Sequence, residues 1–249
     1  MSGALFVGTL AVAAVVTSFI SGVLGMAGGM VLMGVLLALM PVPAAMMLHG
    51  ITQFAANGWR AFLWRAHVDW RIFRGYAYGA LLTLGAFAFV QIVVSKPIAL
   101  IAMGITPFVT LALPANLHLN VEKRGQPFAC GVVCSALSLT AGISGPILDS
   151  FFVRSAMGRH AVVATKATTQ GLSHLSKIAY FGGIAVAGEA AGADPWIAGM
   201  MVALAFAGTS LSALVLKRMN DAAFRRYTRW TVMSLGLFYV ASGAWMLLR

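Results

Sequence analysis

Apolar stretches too long for a soluble fold recur along the whole chain, and they limit what it can fold into more than any other feature. Mostly apolar segments run at roughly 3–40, 43–63, 75–95, 97–117, 127–153, 160–183, 195–216 and 230–248, with only short linkers between them. About 20 consecutive apolar residues in a helix suffice to cross a hydrocarbon core about 30 Å thick. Charged residues make up 9% of the 249 residues and hydrophobic ones 60%, whereas a soluble domain carries about 25% charged residues to cover its surface. The runs are continuously apolar instead of alternating every second residue, which argues against a transmembrane β-barrel. The pattern predicts an all-α polytopic membrane protein, with residues 1–249 forming one transmembrane unit.

The formal net charge of +11 raises nucleic-acid binding as a reading, yet 13 of the 17 basic residues sit in or beside four short polar segments between apolar runs. Topogenic signals are distributed this way, whereas a nucleic-acid binder shows a basic face on a soluble module. No nucleic-acid partner is expected. Cys130 and Cys134 lie one helical turn apart within an apolar run. One such pair makes neither a disulfide framework nor a metal cluster, and it reads as small packing residues. No metal or cofactor is implied. The first charged side chain is Arg60, so the basic start of a cleavable signal peptide is lacking and the first apolar stretch is expected to be retained.

Two of the apolar stretches, Gly3–Met40 and Gln126–Val153, are interrupted and resemble each other. At an offset of 117, Val15, Val16, Ser18, Ser21, Gly25, Gly28, Ala44, Thr52 and Gln53 fall on Val132, Val133, Ser135, Ser138, Gly142, Gly145, Ala161, Thr169 and Gln170. The register holds without a gap, which indicates an internal duplication of the sort common in transporters. If each interrupted stretch crosses once, the basic linker residues divide seven to eight between the two sides. If each enters and returns as a broken hairpin, the segments Arg60–Arg74, Lys123–Arg124, Arg154–Arg159 and Lys217–Arg229 all become cytoplasmic, 13 residues against Lys96 and Arg249. The positive-inside rule selects the second arrangement. It gives five strokes per half, so the halves, about 3–117 and 120–248, are expected to be inverted repeats. Each would hold a broken helical hairpin plus three transmembrane helices, with both termini on the non-cytoplasmic side of the cell inner membrane. Gln126–Val153 is too short for two full spans, which favours a re-entrant hairpin.

The breaks carry the first chemistry. Gly25-Met26-Ala27-Gly28-Gly29 corresponds to Gly142-Ile143-Ser144-Gly145-Pro146. Glycine permits a turn and close backbone approach, and proline suits the first position of a new helix. Each break would present a helix N-terminus at mid-depth, whose free N–H groups and partial positive charge favour an anion. Next comes a polar stripe, His49, Thr52, Gln53, Asn57 and Arg60, matched at the same offset by Lys166, Thr169, Gln170, His174 and Lys177. The spacing places each set on one helical face, where ionisable groups in a membrane mark a substrate or proton path by default. The expected substrate-binding set is Gly25, Gly28, Gly29, His49, Thr52, Gln53, Asn57, Gly142, Ser144, Gly145, Lys166, Thr169, Gln170, His174 and Lys177. Arg60 and Lys177 lie near span ends, where such side chains also snorkel. Lys166 is the charge hardest to explain away. His49, His174 and Asp149 are the candidates for proton coupling. Asp149 could also be a salt-bridge partner; its counterpart is Leu32.

Gly142-Ile143-Ser144-Gly145 also matches the G-x-S-G pattern of intramembrane serine proteases, with His160 or His174 as the imaginable base. Ala27 stands at the equivalent position in the first copy, and a protease has no need of a duplicated Thr-Gln stripe.

The order Ser-Gly-x-x-Gly-x-x-Gly-Gly from Ser21 to Gly29, then a proline, then the polar helix His49–Asn57, resembles the sulfite exporter TauE/SafE family, also called toluene-sulfonate-uptake permeases. The pattern recurs at Gly142–Pro146 and Thr165–Lys177. The resemblance implies export or uptake of sulfur-containing or organic anions such as sulfite, sulfoacetate, thiosulfate or other sulfonates. The expectation is a secondary transporter of a small sulfur-containing anion working by alternating access. An anion channel and an intramembrane hydrolase using Ser144 are the alternatives. Its partners would be the anionic substrate and the lipid bilayer; homo-oligomerisation stays open.

Overall fold

The computed structural model describes residues 3–24, 26–114, 119–186, 194–216 and 221–249. Among them ten α-helices follow one another: α1 (Gly3–Leu24), α2 (Ala27–Leu39), α3 (Val42–Leu63), α4 (Trp70–Val90), α5 (Lys96–Ala112), α6 (Gln126–Thr140), α7 (Gly145–Phe152), α8 (Arg159–Val186), α9 (Pro195–Leu216) and α10 (Asp221–Leu247). No strand occurs among the described residues, in line with the all-helical expectation. The spans Gly3–Val23, Trp70–Val90, Pro195–Ser212 and Arg226–Leu247 are long and apolar enough to cross a membrane. The helices α3 and α8, 22 and 28 residues long, have the length of a span but carry the polar stripes. Within the apolar segment 97–117 the helix α5 ends at Ala112, and residues 115–117 lie outside the described residues.

Both interrupted stretches divide at their glycine clusters. The helix α1 gives way to α2 at Gly25-Met26, and α6 to α7 at Ala141–Ser144. Gly25 itself lies outside the described residues, as do Glu189 and Lys217 of the expected loops. Met26, on the α2 side of the first break, has φ −70° and ψ −17°. Gly142 has φ +77°, a conformation that costs an L side chain about 1–2 kcal/mol. Pro146 lies in the first turn of α7, where its missing N–H would have no helical partner anyway. At the start of α4, Asp69 accepts hydrogen bonds from the backbone N–H of Arg71 and Ile72, an N-cap worth about 1 kcal/mol.

The helices exchange partners between the two halves of the chain. The helix α1 packs along α9 and α6 along α4, while α3 crosses α8 and α5 pairs with α10. Gly75 sits by Pro127 and Gly79 by Phe128 and Val132, so α4 and α6 run the same way. Val15 meets Gly208 and Gly22 meets Ser212, so α1 and α9 do too. In contrast, Met47 meets Gly182 and Gly50 meets Ile178, so α3 and α8 run in opposite directions. The pairs Pro97–Gly243 and Gly104–Gly236 give α5 and α10 the same antiparallel sense. Lipid supplies no hydrophobic force between helices, so association depends on van der Waals contact at close approach. Between α4 and α6 the backbones approach closely, because a Cβ on Gly79 or Gly131 would collide with the carbonyl oxygen of Phe128 or Tyr76.

The packed interior falls into two clusters. The larger gathers Leu10, Met30, Met33, Leu36, Met46 and Met103 around α2. The smaller joins Ile72, Tyr76, Cys130, Cys134, Leu148 and Phe151 around α7. Cys130 and Cys134 are free and buried, with sulfurs 3.8 Å apart, as expected of packing residues.

Candidate functional site

The antiparallel crossing of α3 and α8 brings the start of one polar stripe against the end of the other, beside both helix breaks. The Lys177 ammonium donates to His49 Nδ1 and to the Gly142 carbonyl oxygen, each at 2.8 Å. His49 Nε2 lies 3.0 Å from the Gly29 carbonyl oxygen. A carbonyl only accepts and an ammonium only donates, so in this arrangement His49 is neutral with its proton on Nε2. One continuous chain of hydrogen bonds therefore runs from the second break through Lys177 and His49 to the beginning of α2. The breaks also touch directly: a Cβ on Gly145 would lie 2.6 Å from Met26 Cβ, and one on Gly142 2.7 Å from Met33 Sδ.

Lys177 is 0% exposed, and among the described residues no carboxylate stands within ion-pair distance of it; the ion pair described is Lys166–Asp149. A buried charge is costly unless it is paired. An ammonium has three N–H donors, and two are used here. Further unmet polar groups are nearby. Gln53 and His174 are 5% and 7% exposed, and Gln53 Nε2 and His174 Nδ1 have no hydrogen-bond partner among the described residues. The Gln53 amide lies alongside Gly29, whose Cβ position is 3.6 Å from Gln53 Oε1. The His174 ring meets that of His49 edge-on at 5.6 Å between centroids. The junction thus holds one buried lysine amine without a carboxylate partner among the described residues, an unused amide donor, and the N-terminal ends of α2 and α7. That combination can hold an anion.

The structure places the expected residues as follows. Lys177 is not a side chain near a span end, because α8 continues for nine further residues to Val186 and the side chain is fully buried. Lys166 pairs with Asp149 from α7, the salt-bridge reading of that carboxylate, the two side chains being 26% and 38% exposed. Thr52 and Thr169 donate to the carbonyls of Leu48 and Lys166 on their own helices. Asn57 likewise donates to the carbonyl of Gln53. Gln170 is half-buried. Gly28 packs on α1, with its Cβ position 2.0 Å from the Thr17 carbonyl oxygen. Ser144 is buried and its carbonyl accepts from Leu148 at the start of α7. Of the bases considered for Ser144, His160 stacks on Trp64 at 4.7 Å and faces His67 at 5.3 Å. His174 faces His49. Sequence reasoning missed Met26 and Met33, which seal the junction; nothing in their spacing distinguishes them from other core methionines.

Among curated proteins and among solved structures no match to the chain is found. A family model described as sulfite exporter TauE/SafE matches residues 10–239. That range contains both breaks, both polar stripes and the whole of the junction described above. The chain belongs to the TauE/SafE sulfite exporter family.

Proposed function

We propose that this chain is a secondary transporter of sulfite or an organosulfonate, with its site at the junction of the two helix breaks. The observation that carries the reading is Lys177, fully buried, without a carboxylate partner among the described residues, and held between the second break and His49. A sulfite or sulfonate group supplies the missing negative charge and several acceptor oxygens at once. Lys177 contributes charge through its third N–H, Gln53 contributes an amide donor, and backbone N–H groups near Gly29, Ser144 and Gly145 complete the cradle. The family is one of membrane transporters, which argues against the hydrolase reading.

We read the two halves as inverted repeats. Helices that would be equivalent, α3 with α8 and α5 with α10, run antiparallel, as a two-fold axis in the membrane plane requires. The exchanged pairs α1–α9 and α6–α4 are related by the same operation. At 13 and 8 residues, α2 and α7 rise about 20 and 12 Å, short of the hydrocarbon core, which supports re-entrant hairpins. The basic linkers then face the cytoplasm and both termini the opposite side of the inner membrane. Alternating access follows from rocking one half against the other about the junction.

The test is counterflow of labelled sulfite into proteoliposomes preloaded with candidate anions. A carrier gives accelerated uptake against internal sulfite or a sulfonate, whereas a channel conducts without counterflow. Folded protein showing no acceleration with any of these anions would overturn the substrate assignment.

A further inference from the structure

This inference rests on reading the junction as an anion carrier. The titratable groups around it differ in whether they have room for a proton. Asp149 is engaged with Lys166. His49 uses both ring nitrogens, Nδ1 accepting from Lys177 and Nε2 donating to Gly29. His174 is different: it is buried, its Nδ1 has no partner among the described residues, and its ring lies against that of His49. It stands three residues before Lys177 on α8, so their Cβ atoms are neighbours at about 5–6 Å.

We infer that His174 is a proton-binding site of this transporter and that each anion crosses together with a proton. A proton on His174 alone would set a second positive charge beside the Lys177 ammonium, in a pocket where no carboxylate among the described residues offsets either. An anion bound between them removes that repulsion. By reciprocity, the proton on His174 strengthens anion binding by the same factor. An anion that draws Lys177 away also frees His49 Nδ1, giving the proton a second position. The proton enters from water on the side where the anion binds, resides on the imidazole, and returns to water where the anion is released.

The groups facing His174 are consistent with this assignment. From α3 comes His49, with Arg60 farther along the helix. From α4 comes Tyr76, its hydroxyl 2.6 Å from Ser173 Oγ, with Asp69 tied by its backbone N–H to Thr165 near the start of α8. The thiols Cys130 and Cys134 of α6 pack in the same cluster as Tyr76. Asp149 of α7 meets Lys166, and the Arg65–His67 turn reaches α8 at His160. No carboxylate among these is left free to compensate a proton on His174.

The experiment uses the full chain in proteoliposomes containing an internal pH dye, with a labelled alkylsulfonate as the probe. A sulfonate stays ionised at the pH values used, so any proton that moves is carried by the protein. Counterflow is measured in the same preparation. The expected results are lumen acidification on adding external sulfonate, and accumulation of about tenfold per unit of acid-outside pH gradient, because every tenfold ratio carries the same free energy. One proton with one monoanion is electroneutral, so a potassium–valinomycin potential should leave the accumulation unchanged. His174→Gln should exchange sulfonate more slowly and lose the dependence on the pH gradient. Wild-type protein that performs counterflow but moves no protons and ignores the gradient would overturn the inference and leave the carrier reading standing. H174Q that still accumulates tenfold per pH unit would overturn the assignment to His174. Wild-type protein without sulfonate counterflow would overturn both the inference and the sulfonate reading beneath it.

Discussion

The two helix breaks fall at the same register at an offset of 117 residues but contribute differently. The first is apolar where it is described: Gly28 packs on α1, and eight residues of α2 are buried. It lends the junction one carbonyl, that of Gly29, held by His49. The second is polar. Four residues from Ala141 to Ser144 separate its helices, Gly142 takes a positive φ, and Asp149 of the short α7 reaches Lys166. It places its Gly142 carbonyl on the buried ammonium of Lys177. The first break thus serves packing, and the second partners Lys177. The repeat at Thr52-Gln53 and Thr169-Gln170 does not reveal this division.

The sharpest way to break that contrast is to add bulk to each break. Gly28→Val should have the largest effect, because its Cβ position is 2.0 Å from the Thr17 carbonyl oxygen and 2.4 Å from the Ser21 nitrogen. Backbone atoms cannot step aside as a flexible side chain does, so loss of monodisperse folded protein in size-exclusion chromatography is expected. Gly142→Ala should be milder. The neighbour there is the flexible Met33 thioether, and the strain of φ +77° is about 1–2 kcal/mol. Folded yield should persist, with a lower thermal midpoint and slower counterflow. Equal losses at both positions would erase the distinction between scaffold and site.

Smaller effects test the polar stripe. Gln53→Ala should slow counterflow about fivefold, the equivalent of one hydrogen bond at about 1 kcal/mol. Gln170→Ala should impair it less, since Gln170 is half-buried while Gln53 is buried beside Gly29. Equal effects would mean that the halves contribute symmetrically. Thr52→Val and Thr169→Val should change transport least, because both hydroxyls bond their own helices and such bonds average about 0.6 kcal/mol in membranes.

The breaks were legible because glycine and proline act locally: Gly142 and Pro146 carry their backbone consequences in the chain itself. The charge of the site was not. Lys166 and Lys177 look alike in one dimension, and only the approach of α7 pairs the first with Asp149. Lys177 was read near a span end because the apolar segment was taken to close at about residue 183, yet α8 runs on to Val186. Partner exchange between halves, α1 on α9 and α6 on α4, follows from backbone approach at scattered glycines such as Gly79 and Gly208. No spacing rule links those positions.

The central claim is that Lys177, and not Lys166, carries the charge that holds the anion. Labelled sulfite counterflow, measured side by side in wild type, Lys177→Met and the double variant Lys166→Met with Asp149→Asn, tests it most directly. Wild-type protein should exchange, the double variant should retain most of that rate, and K177M should fall to the rate of protein-free liposomes while remaining folded. K177M exchanging sulfite as fast as wild type would contradict the account.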